Sequence, residues 1–384
     1  MGTAYWLVCH AGYGAIQLVA LRINGFTVPP GASALGALVS TWVRWDAVNY
    51  VTIAEQGYPA DPQPEYRQYN DSTLPAWPPG YPMLIKAVGW LLPGSLNVSA
   101  LVVSNLAALG LLVVLYRLVE TELDAVTAER TLLCLLVFPT GFFLAVAYSE
   151  SLFLVLTVGA LYCARRQRWW WAGALAGAAS AVRVAGVTII VALALEYLRQ
   201  RDVDWRRIRP DVLALGLTPT GLLAYMAYQW VRYDNPFMFS EAQKVWGRGP
   251  IVPPWRPLIG SLRDLDFVAN TERAVINTLD LGLLAVAVAL LVLGVVGPWR
   301  LRRDQWFLLV AGALPLLVAV LQPIGDPTGP PWQSMGRYVL ACFPIFLIMG
   351  KLASHRLVER LVVFVGLPLQ VGLLVLYLDG QWTG

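Results

Sequence analysis

The chain has 384 residues, of which 57% are apolar and 14% charged, with a formal net charge of +4. A soluble domain carries about 25% charged residues, so lipid is the solvent for most of this chain, and no stretch reads as a separate soluble domain. The basic excess does not indicate nucleic acid, because the basic residues sit in short loops between apolar runs, as topology signals do.

Apolar runs able to cross a hydrocarbon core of about 30 Å recur along the whole length. In chain order, hydropathy predicts spanning helices over 4–23, 97–118, 130–148, 150–164, 169–184, 186–198, 211–232, 273–297, 305–322, 338–353 and 360–378, about 11 in all. The expectation is an all-α, polytopic transmembrane bundle forming a single integral membrane domain over 1–384. The first run, Tyr5 to Ile23, has no basic leader and no small-residue cleavage site, so it reads as a retained helix.

Basic residues gather at Arg165, Arg166 and Arg168, then at Arg199, Arg201, Arg206, Arg207 and Arg209, then at Arg300, Arg302 and Arg303, and finally at Lys351, Arg356 and Arg360. With this segmentation all of these clusters fall on one side, which the positive-inside rule makes cytoplasmic. The long polar connections, about 24–96, 233–272 and 323–337, then lie on the external side. They carry Trp42, Trp45, Trp77, Trp246, Trp255 and Trp332 among many prolines, which suits partly buried loops and interfacial helices at a membrane surface. Gly173 and Gly177 stand four apart among alanines, a small-residue face for close helix packing.

Cys9, Cys134, Cys163 and Cys342 are scattered in apolar segments without paired spacing, and His10 and His355 are far apart. Neither a disulfide framework nor a metal site is expected, and no cofactor. Only Lys86, Lys244 and Lys351 of the 28 basic residues are lysine, which points to a GC-rich prokaryotic genome and to a plasma membrane rather than the endoplasmic reticulum.

The first external connection contains Trp42-Val43-Arg44-Trp45-Asp46-Ala47-Val48-Asn49-Tyr50 and continues through Ile53-Ala54 to Gly57-Tyr58-Pro59. Read as a helix, it can lie amphipathically in the interface and put the Asp46 carboxylate near the membrane surface in a mostly apolar setting. Acids there are costly to place and are functional candidates by default. The alternative is a solvated carboxylate paired with Arg44.

This segment resembles the first luminal loop of the GPI mannosyltransferase 2 (PIG-V-like) family, within the larger GT-C group of polyprenyl-phosphate-sugar-dependent transferases. The resemblance extends to Trp77-Pro78-Pro79-Gly80-Tyr81-Pro82, to Phe138-Pro139-Thr140-Gly141-Phe142-Phe143 with Ala147-Tyr148-Ser149-Glu150-Ser151-Leu152-Phe153, and to Ser334-Met335-Gly336-Arg337-Tyr338. Two departures bear on the acceptor: Asn49 stands where the family commonly has histidine, and the stretch before Tyr81 is proline-rich and lacks the usual double phenylalanine. The resemblance implies a GT-C-like bundle, an inverting transfer of mannose from polyprenyl-phosphate-mannose to a glycolipid or glycan acceptor, and Asp46 as the catalytic acid residue. From the same matched segments, Arg44, Trp45, Tyr50, Tyr148 and Glu150 are expected to bind substrate. For Glu150 a second role is open, since a carboxylate at a helix start also favours the helix dipole.

A leaving phosphate needs cations, and Arg183, Arg337 and Lys244 are the candidates. Arg183 sits among apolar neighbours near the external end of its helix, where a cation is expensive unless it meets an anion or snorkels to headgroups. Asp46 has no second acid beside it for a divalent ion, so transfer without a metal is expected. A transporter or flippase of a lipid-linked sugar is the competing reading, but such proteins keep their polar residues near the bilayer midplane, in paired interrupted helices of two repeated halves, whereas the first polar connection here, about 70 residues long, has no counterpart in the second half.

Overall fold

The computed structural model describes residues 2–23, 33–60, 71–263, 265, 271–323, 332 and 334–383. Parts of the predicted external connections, 24–32, 61–70, 264, 266–270, 324–331 and 333, lie outside the described residues. The regular structure is helical throughout, with no strand among the described residues. In chain order the helices are α1 (Gly2–Ile23), α2 (Ala34–Ser40), α3 (Asp46–Gln56), α4 (Gly80–Gly89), α5 (Leu96–Glu122), α6 (Ala125–Leu136), α7 (Glu150–Arg165), α8 (Trp169–Val182), α9 (Ile189–Arg199), α10 (Thr220–Tyr233), α11 (Met238–Ala242), α12 (Trp255–Arg263), α13 (Thr271–Val295), α14 (Trp306–Leu321), α15 (Met335–Ala341), α16 (Pro344–Leu352) and α17 (Arg356–Asp379).

Five described helices are long and apolar enough to cross a bilayer, and a sixth span results if α15 and α16 form one broken crossing. The chain is thus an integral membrane protein. Three of the predicted spans are interrupted, each near a proline, although α14 and α17 run on through Pro315 and Pro368. The span expected over 130–148 stops at Leu136, ahead of Pro139, and resumes only as a short 3-10 turn over Gly141–Leu144. The span expected over 211–232 divides at Pro219 into a 3-10 stretch, Pro210–Leu217, and α10, and that over 338–353 divides before Pro344. Proline removes a backbone donor and its ring clashes with the preceding turn, whereas hydropathy alone sees an uninterrupted apolar run.

The chain forms two compact units, one of residues up to Gln56 with Tyr81–Tyr162 and Phe346–Thr383, the other of Gly57–Gly80 and Cys163–Ile345. In the first, α1 packs against α5, α6 and α17. Where α6 ends a side chain supplies donors: Gln370 of α17 is buried and donates to Leu136 O at 2.9 Å and to Phe138 O at 2.7 Å, the second of which also accepts the Gly141 N–H. Backbone groups that lack both water and an intrahelical partner must find such a donor.

In the second unit, α8 packs on the Pro210–Leu217 stretch and on α10. The predicted small-residue face makes this contact: a Cβ on Gly173 would stand 2.0 Å from Ala214 O, and one on Gly177 2.5 Å from Leu217 O. Three of the basic loops converge in one ion network. Arg165 pairs with Glu196 at 3.1 Å and with Asp304 at 2.7 Å, and Arg199 pairs with the same fully buried Glu196 at 2.7 Å. Residues 165, 196–199 and 304 therefore share one end of this unit, in accord with the common side that charge alone predicts for their loops. At the far end of α10, Tyr233 donates to Pro59 O at 2.9 Å. Nearby, Tyr225 donates to Pro75 O at 2.8 Å, Tyr58 to Trp77 O at 2.6 Å, and Trp77 meets Trp246 edge-on at 5.1 Å.

Candidate active site

Asp46 opens α3, in the first unit. The residue before it, Trp45, has φ 56°, the left-handed region that bulky residues avoid. Holding a side chain there costs about 1–3 kcal/mol and recurs at functional sites. The turn is braced on both sides. Trp45 meets Trp382 edge-on at 5.3 Å, and Arg44 donates through Nη2 to Leu378 O at 2.8 Å, at the C-terminal end of α17. A guanidinium there satisfies a free carbonyl and the negative end of the helix dipole. Asp46 itself is half-buried, at the helix terminus whose dipole favours an anion. Asn49 follows three residues on, so the two side chains share a face of α3.

Tyr50, Tyr148 and Glu150 are buried, Tyr148 and Glu150 completely. The tyrosines hold the Asp46 segment from beneath. Tyr148 donates its hydroxyl to Arg44 O at 3.3 Å, Tyr50 shares a 3.0 Å hydrogen bond with Ser149, and Tyr377 donates to Trp42 O at 3.2 Å. Tyr50 also packs edge-on against Tyr81 at 5.0 Å; the Tyr81 hydroxyl meets Ser104 Oγ at 2.7 Å, and Ser104 donates to Tyr148 O at 2.9 Å. The Tyr148–Ser151 string is thus a buried hydrogen-bonded support under the loop. Glu150 lies in the first turn of α7, as the capping alternative requires.

The predicted phosphate-binding residues all lie in the second unit. Arg183 ends α8 in an extended conformation, between that helix and a 3-10 turn over Val184–Thr188, and its guanidinium lies 5.7 Å from the centre of the Tyr338 ring. Arg337 is buried in the first turn of α15, next to Tyr338 in sequence. Lys244 pairs with Glu241 one turn earlier and is largely exposed.

Sequence reasoning missed two residues here. Arg248 donates a 2.6 Å hydrogen bond to the Tyr338 hydroxyl, so this ring carries guanidinium groups from two elements. Its signal is a lone cation between Gly247 and Gly249 in a proline-rich loop. Asp280, an acid inside the apolar helix α13, accepts the Gly336 N–H at 2.9 Å. Among the described residues, no three His, Cys, Asp or Glu side chains gather as metal ligands would.

The charged features of this polytopic helical membrane protein are thus an acid at the head of a braced, strained turn in the first unit and, in the second, guanidinium groups about Tyr338. Residues 25–223, a stretch that includes Asp46, Tyr148 and Arg183, match the Mannosyltransferase (PIG-V) family, and the chain belongs to it. GPI mannosyltransferase 2 of Yarrowia lipolytica is 31% identical over 153 residues, 39% of this chain and 38% of that protein, so the similarity spans well under half of the relative's length. Among solved structures, ArnT from Cupriavidus metallidurans, crystallised with undecaprenyl phosphate, aligns over 92% of this chain and 60% of its own, with a TM-score of 0.48 and 17% identity. That likeness is too distant to carry the bound lipid over to this chain.

Proposed function

We propose that this protein is an inverting membrane glycosyltransferase of the GT-C type that moves mannose from polyprenyl-phosphate-mannose to a lipid-linked or glycan acceptor. Membership of the mannosyltransferase (PIG-V) family, over a stretch that includes Asp46, is the observation that carries it. In this reading Asp46 is the general base. The acceptor hydroxyl attacks the anomeric carbon from the face opposite the phosphate, the bond from that carbon to the phosphate oxygen breaks, and the hydroxyl proton passes to the Asp46 carboxylate. The electron pair of the broken bond leaves with the polyprenyl phosphate. Arg183, Arg248 and Arg337 stabilise the charge that grows there, which guanidinium groups do without a metal ion. Arg44 and Trp45 aim the base, and Tyr50, Tyr148 and Glu150 hold its loop.

We assign the reaction to the external face of a prokaryotic plasma membrane. Support comes from the basic loops gathered in one ion network at one end of the second unit, while Pro59, Pro75 and Trp77 pack at the other. The test is sugar transfer in proteoliposomes, offering polyprenyl-phosphate-mannose, polyprenyl-phosphate-glucose and nucleotide sugars with a membrane glycolipid extract as acceptor. Transfer from the lipid-phosphate mannose alone, falling about 10²–10⁴-fold in Asp46→Asn, is the expected result. Intact donor that crosses the bilayer unaltered would replace the transferase with a flippase.

A further inference from the structure

Asp280 belongs to α13, one of the helices apolar and long enough to span the membrane, and it is buried there. An acid at such a place is expensive and needs a reason. Its contacts supply one. The carboxylate accepts the Gly336 N–H at 2.9 Å and also lies against the backbone N–H groups of Ser334 and Met335. These groups lie at the start of α15, which the Ser334 side chain leaves uncapped and which begins from a left-handed Ser334 at φ 73°; Met335 N–H also donates to Trp332 O at 3.1 Å, and Gly336 N–H is the one Asp280 binds at hydrogen-bond distance. A carboxylate from a neighbouring helix therefore does what a capping residue ordinarily does. Two residues after Gly336 comes Tyr338, whose hydroxyl accepts from Arg248 and whose ring lies beside Arg183.

We propose that Asp280 is a positioning residue for a phosphate-binding group formed by Arg183, Arg248 and Tyr338. By gripping the backbone of Ser334 to Gly336 it sets the rotation of α15 about its axis. A slip of one residue turns a helix by about 100°, which would carry the Tyr338 hydroxyl away from Arg248. The ligand chemistry is a phosphate ester at the end of a long apolar chain. The inference rests on the reading above, in which these arginines meet the phosphate of the donor. Asp280→Asn keeps the shape but removes the charge and turns one acceptor into a donor facing N–H groups, so it disturbs the start of α15 while leaving α13 apolar and filled.

The experiment measures binding of a short-chain polyprenyl phosphate, and of the corresponding polyprenyl alcohol, to the full chain in nanodiscs, with thermal midpoints recorded alongside. We expect Asp280→Asn to weaken phosphate binding about tenfold, the scale of losing one buried charge-assisted contact, and to leave the alcohol unaffected. Tyr338→Phe should weaken the phosphate as well, and the double variant should lose less than the sum, because both changes act through the same ring. Phosphate binding at the wild-type level in Asp280→Asn, or equal loss of phosphate and alcohol, would reduce Asp280 to an ordinary structural cap and overturn the proposal. Should Asp280→Asn fail to fold, Asp280→Glu, which keeps the carboxylate one methylene further out, is judged by the same criteria. A wild type that binds phosphate and alcohol alike would overturn the phosphate-binding reading itself, and the positioning role with it, a result distinct from a defect seen or missed only in the variants.

Discussion

Tyr148 donates its hydroxyl to the main-chain carbonyl of Arg44 at 3.3 Å, joining residues 104 positions apart at the point where the chain turns toward Asp46. Tyr148→Phe should keep the fold, cost about 1 kcal/mol of stability, and leave the Arg44 carbonyl free to shift. The expected kinetic result is a fall in kcat of about tenfold, smaller than the loss from Asp46→Asn, because the base remains but its aim loosens. Steady-state rates with a lipid-phosphate sugar check this.

Trp45 combines a left-handed backbone with an indole that braces Trp382, and the two contributions can be separated. Both Trp45→Gly and Trp45→Ala lose the indole, but only glycine relieves the backbone. Thermal unfolding in detergent should find the glycine variant more stable than the alanine one by about 1–2 kcal/mol. Equal stabilities would mean that the turn is not strained.

Gln370 closes the carbonyls of Leu136 and Phe138 where Pro139 stops α6. Gln370→Leu keeps the volume and adds the apolar character that a hydropathy scale rewards, yet it strands Leu136 O away from water, whereas Phe138 O keeps the Gly141 N–H at 2.7 Å. A loss of about 1–3 kcal/mol is expected, measurable as a lowered thermal midpoint.

Gly173 has Ala214 O where a methyl group would have to go. Gly173→Ala should destabilise by about 1–3 kcal/mol or more, because backbone rather than a movable side chain blocks the space. Gly216 has open space around its own Cβ position, so Gly216→Ala should show no such clash, and a midpoint comparison tests the pair.

Asp124 caps α6, accepting from Thr127 Oγ1 at 2.7 Å and from its backbone N–H at 2.8 Å, and these bonds hold its carboxyl below the usual carboxylate range. A group whose pKa is depressed on folding stabilises above its unfolded value, about 3.9, and that contribution is lost as pH falls through the folded one. Asp124→Ala should therefore cost about 1 kcal/mol at pH 7. The gap between variant and wild type should close in acid below pH of about 4, read from midpoints across that range.

Much of this protein was legible in the chain itself because lipid imposes a simple rule. Composition and apolar run length establish a helical membrane protein, since only helices and closed barrels satisfy their own backbone in a bilayer. The small-residue pattern at Gly173 and Gly177 marks a close helix contact for the same local reason, and Asp46 stands out because an acid beside tryptophans at an interface is costly. What hydropathy could not locate are the breaks at Pro139, Pro219 and Pro344, where an apolar run continues while the helix does not. Other features were decided only by tertiary structure. Gln370 looks unremarkable in sequence, and Asp280 in its apolar run and Arg248 between glycines stand out there without showing what they bind, because the partners are backbone groups and a phenol that lie far along the chain. Which carbonyl has lost its helix partner, which N–H group opens a helix, and which ring lies beside a guanidinium are all set by how helices pack, and a linear pattern of apolar and polar residues does not encode those distances.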